Sequence, residues 1–268
     1  MYSSRGSLFP RHTGRIFLIP PNMEVYGISV LSSGDPKALY EIIEVFKKYD
    51  LSIMQIIGST PLLEKGTLTT FFLDFTNSDV NLDDIVSEVR KLIFVEKVFT
   101  IKPTGNLLID RYHFPLIVAN ERIILLSISW LKGLLHTPRE KFGEGVEAFF
   151  YHQGRILGES VYDSTKDLAV KDLDTLVRLL ELLFLAYGLG VLKVVKLDLK
   201  KPLIIVRIYD SFECSLCERQ EKPYSHLLRG ILAGFASKVL NMQLTAIETK
   251  CIAKGDEFCE FVISKEEL

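Results

Sequence analysis

From residue 23 onward the hydrophobic period of the chain switches in a regular order. MEVYGISVL carries β-branched and aromatic residues suited to a strand. SSGDPKALYEIIEVFKKYD then supplies a turn, a cap at Asp35, Pro36 at the first helical position and apolar residues at helical spacing. LSIMQIIGS and TLTTFFLDFT predict two strands joined by a loop containing Pro61 and Gly66. DVNLDDIVSEVRKLI predicts a helix capped near Asn81, and FVEKVFTI a last strand. The order is βαββαβ, which folds as an antiparallel sheet with two helices on one face, the ferredoxin-like split βαβ arrangement.

KPTGNLLIDRY, residues 102–112, holds Pro103 and Gly105 and reads as a linker. The expected organisation is a basic arm at 1–22, a ferredoxin-like domain at 23–102 and a second, mixed α/β domain at 113–268. The fold class is therefore α+β. In the second domain a helical, glycine- and aromatic-rich stretch runs from Arg139 to Gly158. A longer helix from Leu168 to Tyr187 follows, with Asp167 or Asp172 as its cap. VLKVVKLDL and LIIVRIYD predict strands, HLLRGILAGFASKVL a helix, and LTAIETKCIA with EFCEFVIS a hairpin turning at Lys254-Gly255-Asp256. No internal repeat interrupts the pattern.

Composition narrows the function classes. The chain is 48% hydrophobic and 25% charged, the balance of a globular protein. Thirty-two basic and 34 acidic residues give a formal charge of -2, so no global field recruits nucleic acid or an acidic membrane. Direct nucleic-acid contact would fall to Arg5, Arg11, His12 and Arg15 of the basic arm, and no helix-turn-helix supports it. The most apolar run, Leu179 to Val195, is broken by Glu181, Lys193 and two glycines, so no membrane span is expected. The N-terminus lacks the apolar core of a signal peptide, and the expected location is cytoplasmic. Glutamine occurs only at 55, 153, 220 and 243, which suits a thermophile.

All four cysteines follow residue 213. Cys214 and Cys217 form Cys-x2-Cys at the end of a strand, and Cys251 and Cys259 lie on opposite arms of the terminal hairpin. Four thiolates about 2.3 Å from a tetrahedral zinc would tie loop to hairpin as a closed structural site. A Cys251–Cys259 disulfide and unpaired thiols are the alternatives. Simple burial explains Cys214 and Cys217 badly, because Glu213, Ser215, Glu218, Arg219 and Gln220 surround them.

Two resemblances add to this reading. Residues 23–102 resemble an ACT-type regulatory domain, whose Asp-x-Pro-Gly turn is represented by Asp35-Pro36-Lys37, with Lys37 in place of the glycine. This implies pairing through the sheet and an effector site at that turn. From His113 to Ile263 the chain resembles the 4-vinyl reductase domain family, most closely over DSFEC (210–214), HLLRGILAGFAS (226–237) and ETKCIAKGDEFCEF (248–261). That family includes the sensory domains of aromatic-responsive transcription activators and shares its fold with vesicle-tethering TRAPP subunits. The resemblance implies a dimer and an apolar pocket between helices and sheet. It also implies metal ligands at Glu248, Cys251 and Cys259. The family's fourth ligand position falls on Ser225, leaving Cys214 or Cys217 to substitute, with His226 a further option.

In the sensors an aromatic effector sits beside the metal, and Phe149, Phe150, Tyr151, His152 and Trp130 occupy the corresponding half of this chain, with His136 and Tyr162 undecided. Such a cluster is more often core than pocket. No Walker loop, GxGxxG or Ser-His-Asp signature occurs, and Gly230-x3-Gly234 reads as close helix packing. The paired acids Asp83-Asp84 and Glu266-Glu267 read as solvated faces. The expected protein is a non-catalytic regulator or adaptor that binds a small apolar or aromatic molecule, forms a homodimer and acts on a partner protein. Its metal site is Cys214, Cys217, Glu248, Cys251 and Cys259, with zinc as the ion and iron or an iron–sulfur cluster as the alternative. A tetrapyrrole-pathway enzyme component and a TRAPP-like structural adaptor are the competing readings.

Overall fold

The computed structural model describes residues 15–59, 66–118, 121–165 and 172–265. Residues 1–14 of the basic arm, Pro61, Asp167 and Glu266-Glu267 lie outside the described residues. The chain divides into two units, Met1–Ile124 and Leu125–Leu268. In the first, β1 (Ile16–Leu18), β2 (Val25–Ser32), α1 (Pro36–Lys48), β3 (Ser52–Ser59), β4 (Thr67–Asp74), α2 (Leu82–Val89) and β5 (Val95–Ile101) follow in sequence. Short strands β6 (Leu107–Ile109), β7 (Leu116–Val118) and β8 (Glu121–Ile123) complete it. The main sheet has the order β3-β4-β2-β5 with every pair antiparallel, the ferredoxin-like topology.

Local chemistry starts both helices where the sequence places them. The Asp35 side chain accepts from Lys37 N at 2.8 Å with Pro36 at the first helical position, and Asn81 accepts from Asp84 N at 2.9 Å. Asp83 and Asp84 sit in the first turn of α2, favourable to the helix dipole. Ala38, Ile42, Val45 and Phe46 of α1 are buried as a single helical stripe, and Ile42, Val45 and Phe46 share one core with Phe71 and Leu73 of β4 and Ile28 and Val30 of β2. Each large side chain buried this way contributes about 1.5–3 kcal/mol.

The second face of this sheet is covered by the chain itself. β1 pairs with β6, and Phe17, Ile19, Met23, Leu108 and Tyr112 pack over Val25, Phe72 and Ile101. The segment 102–112, expected to be a free linker, is thus part of the first unit. Asp110, fully buried, explains why: its carboxylate accepts from Tyr112 N at 2.9 Å and lies 2.8 Å from His113 Nδ1, while His113 Nε2 lies 3.1 Å from the Leu68 carbonyl.

The second unit opens with α3 (Ile128–Leu131), a π-helical turn (Lys132–His136) and α4 (Thr137–Phe142). Gly143, at φ 61°, separates α4 from α5 (Glu144–Thr165), so the expected single stretch from Arg139 to Gly158 is two helices. α6 (Leu173–Ala186) starts at Asp172, whose carboxylate accepts from Thr175 N at 2.7 Å. β9 (Val191–Asp198), β10 (Leu203–Tyr209), α7 (His226–Leu240), β11 (Thr245–Lys250) and β12 (Cys259–Ser264) follow, and the antiparallel sheet has the order β11-β12-β10-β9.

α5 crosses α7 at glycines on both helices. A Cβ on Gly158 would lie 2.0 Å from Ile231 O and one on Gly234 2.1 Å from Arg155 O, so only hydrogen permits this approach. α7 also packs on the inner sheet face, where Leu228, Leu232 and Ala233 meet Val206, Ile208 and Phe261.

Candidate metal centre

The centre is assembled at the end of the sheet where β10 leaves and β12 begins. Asp210, at φ 51°, turns the chain out of β10, a conformation aspartate tolerates better than most residues. A 3-10 turn, Cys214–Leu216, follows and is held by Ser215 N donating to Ser211 O and Phe212 O. Cys251 comes just after β11, and Cys259 opens β12 opposite Ile208. The β11 register shifts between Glu248 and Lys250, a bulge of the kind that re-aims a side chain.

Cys214, Glu248, Cys251 and Cys259 converge there. Their ligand atoms all lie within 4.8 Å of one another, and all four residues are buried. Cys214 Sγ is 3.6 Å from Cys251 Sγ and 3.4 Å from Cys259 Sγ. Those separations are far beyond a disulfide bond of about 2.05 Å. They approach the edge of a tetrahedron with bonds of about 2.3 Å, which is about 3.8 Å. A buried Cys3Glu cluster of this kind can hold a metal ion. Tyr224 N and Ile252 N donate to the sulfurs of Cys251 and Cys259, each at 3.4 Å.

Cys217 is not brought into this group. It is half-buried, and its Sγ donates to the Cys214 carbonyl at 3.7 Å. Ser225 lies beside the cluster, with its Oγ 3.2 Å from Cys214 Sγ and 3.7 Å from Cys259 Sγ. His226 turns elsewhere, its Nε2 3.5 Å from Glu147 Oε2, and burial lowers its pKa to about 4.

Charge in the cluster is strongly redistributed. Hydrogen bonds from Cys251 and then Cys259 lower the Cys214 pKa to about 3, and the same contacts with Cys214 push Cys259 up. Burial, with the neighbouring Cys251, raises Glu248 to about 8, and burial raises Cys217 to about 12. Glu248 Oε2 accepts from Ser225 N at 2.9 Å, while its Oε1 has no hydrogen-bond partner among the described residues. An unpartnered buried carboxylate oxygen is costly unless a proton or cation meets it.

Three residues absent from the sequence-derived set complete the surroundings. Glu213, fully buried, accepts from Leu227 N at 3.0 Å and Leu228 N at 2.8 Å, capping α7, and from Arg139 Nη2 at 2.5 Å. Burial pushes the Glu213 carboxyl up. The three donors that converge on it work in the opposite direction, favouring its anion. The Arg139 guanidinium lies 4.0 Å from the Tyr224 ring centroid and 5.0 Å from that of Phe150.

The aromatic residues expected around a ligand do not form one lining. Phe150 is buried, Phe149 is 54% and Trp130 65% exposed, and His152 is exposed. Tyr151 carries the Arg229 guanidinium 4.7 Å from its ring centroid, His136 Nδ1 lies 2.8 Å from Tyr224 Oη, and Tyr162 packs edge-on to Phe235. A wholly apolar cavity of about 40 Å³ lies between α6, the sheet and α7, lined by Leu176, Leu180, Val206, Phe235, Val239 and Ile263 among others. Cys259 and Ile263 are four residues apart on β12, so the cavity and the cysteines sit about 13 Å apart along the strand.

Fold and site together define an α+β chain whose second unit encloses a buried Cys3Glu centre. Residues 204–265, which contain every residue of that centre, match the 4-vinyl reductase domain. The uncharacterized protein MJ0150 of Methanocaldococcus jannaschii is 30% identical over 125 residues, covering 47% of this chain and 68% of its own. MJ1642 of the same organism is 40% identical over 60 residues, which span 22% of this chain and only 37% of the relative. The chain belongs to the same family as MJ0150 and carries a 4-vinyl reductase domain. The phenol-responsive sensory domain of the transcription activator PoxR shares the fold, with a TM-score of 0.51 at 18% identity, covering 55% of this chain and 79% of that one. No described helix is long and apolar enough to cross a membrane.

Proposed function

We propose that this chain is a non-catalytic, ligand-responsive regulator or adaptor whose 4-vinyl reductase domain carries a structural zinc ion held by Cys214, Cys251, Cys259 and Glu248. The observation that carries the reading is the enclosed donor set itself, three thiols and one carboxylate buried within ligand distance of one another. Soft sulfur donors in a compact four-donor group suit zinc, and the unpartnered Glu248 Oε1 fits a cation at this place. When bound, the ion would neutralise charge and lock loop to hairpin. Four protein donors leave no open position for a substrate water, which favours a structural over a hydrolytic role.

The ligand is a small apolar or aromatic molecule. The phenol-responsive domain of PoxR has the same fold, and the cavity between α6 and α7 has an apolar lining. About 40 Å³ is well short of the roughly 150 Å³ that accepts benzene in an engineered core. Ligand uptake would therefore displace α6, and that displacement is the signal passed to a partner. The first unit acts as an ACT-like module that pairs two copies through its sheet, in a cytoplasmic setting that keeps the thiols reduced.

Elemental analysis of the purified full chain tests the metal reading. The wild type should carry about one zinc per chain, Cys217→Ser should keep it and Cys251→Ser should lose it. Wild-type metal below about 0.2 per chain, prepared without chelators, would overturn the reading.

A further inference from the structure

The segment from Ile128 to Phe142 is thinly anchored. α3 buries no residue, the π-helical turn buries Leu135 alone and α4 buries Arg139 alone. Outward it presents Ile128, Trp130, Leu134 and Phe142, all exposed. Few buried apolar contacts mean low local stability, and π-turns recur where a helix serves a function.

What holds the inward side is polar. Arg139 Nη2 donates to Glu213 Oε1 at 2.5 Å, its guanidinium rests between Tyr224 and Phe150, and His136 Nδ1 lies 2.8 Å from Tyr224 Oη. These ties end on residues beside the Cys3Glu cluster. Glu213 immediately precedes Cys214 and fixes the start of α7 through Leu227 N and Leu228 N. Tyr224 N donates to Cys251 Sγ, and Ser225 N donates to Glu248 Oε2.

We propose, resting on the reading that the cluster holds a metal ion, that the Arg139–Glu213 pair couples metal occupancy to the order of the Ile128–Phe142 segment. A bound ion fixes Cys214, Cys251 and Glu248, and through them the backbone carrying Glu213 and Tyr224. Release of the ion loosens that backbone and the carboxylate drifts. A buried guanidinium that loses its anion is strongly disfavoured, so Arg139 and its segment must follow. The coupling is reciprocal: whatever orders the segment tightens the metal. Arg139 is a positioning residue and touches no ion.

The test uses the full chain and hydrogen–deuterium exchange over peptides spanning 128–142. Anisotropy of Trp130, the single tryptophan, supplies a second readout. In the wild type, chelation of zinc should speed exchange of this segment about tenfold and lower the Trp130 anisotropy. In Arg139→Gln, and in Glu213→Gln should that variant fold poorly, the ratio of metal-free to metal-bound exchange should collapse towards one, with Arg139→Lys restoring part of it. A purely structural pair would instead raise exchange in both states and keep the ratio. Zinc-loaded and zinc-free wild type with identical exchange and anisotropy would overturn the coupling while leaving the metal reading intact. A chain that binds no zinc would overturn both.

Discussion

His113 places both ring nitrogens against acceptors, Nδ1 against the Asp110 carboxylate and Nε2 against the Leu68 carbonyl, and only the imidazolium can donate to both. The Asp110 hydrogen bond raises the His113 pKa despite burial. Burial works against the Asp110 carboxylate, but hydrogen bonds from His113 and Tyr112 outweigh it and its pKa falls. A raised histidine contributes stability that is complete below its ordinary value of 6.5 and is lost as pH rises through the folded value. A lowered carboxylate contributes stability that is complete above 3.8 and is lost as pH falls through its folded value. The pair is therefore fully effective between those limits. His113→Gln should cost the first unit about 2 kcal/mol near pH 5.5, and the deficit should shrink above neutrality. Denaturant titrations of both proteins across pH check this, and a deficit that stays constant to pH 9 would refute the imidazolium assignment. At this scale the Cys3Glu cluster was half legible in sequence. The spacing of Cys251 and Cys259 about a glycine turn, and the resemblance at Glu248, announce the cluster. Arg139 lies 74 residues from Glu213, and no local pattern reports a carboxylate that caps a helix from a distant loop.

Among elements, the α5–α7 crossing sets two physical effects against each other. Glycine in a helix interior costs up to about 1 kcal/mol relative to alanine, so propensity alone favours replacing Gly158. The added Cβ would lie 2.0 Å from Ile231 O, which the helices relieve only by separating, and overpacking of this kind costs about 1–3 kcal/mol. Gly158→Ala should therefore destabilise the second unit by roughly 2 kcal/mol. Gly145→Ala, whose Cβ meets nothing within 4 Å, should be neutral or slightly stabilising. Thermal melts of the two variants give opposite signs if the crossing dominates and the same sign if propensity does. Gly230-x3-Gly234 was readable as one side of this crossing. Its partner Gly154-x3-Gly158 was hidden in a stretch read only as glycine-rich helix. The βαββαβ elements were legible because each is long enough to show its period and carries a cap or turn residue at its end. β1 and β6 were not, because three-residue strands carry no period and exist only by pairing with each other.

At the scale of the whole molecule, two separate cores and a Cys3Glu cluster proposed to hold zinc make a thermodynamic prediction. The core of the first unit is built from β2, β4, α1 and α2, and that of the second from α5, α6, α7 and its own sheet. All four side chains of the cluster lie between residues 214 and 259, inside the second unit. A ligand that binds only one folded unit stabilises that unit alone, by about 2.7 kcal/mol at one hundred times its dissociation constant. Calorimetry of the full chain should resolve two transitions, of which zinc chelation lowers one and leaves the other in place. A fragment from residue 125 onward should reproduce the zinc-sensitive transition and retain the metal. The cut matters physically: a fragment starting near residue 105 would strip β6 of its β1 partner and expose Leu108, which is 0% accessible in the intact chain. That longer fragment should aggregate more than the one from residue 125 and melt no higher. A single transition that moves as a whole on chelation would show that the two cores unfold as one cooperative body and would place the metal's influence across both units.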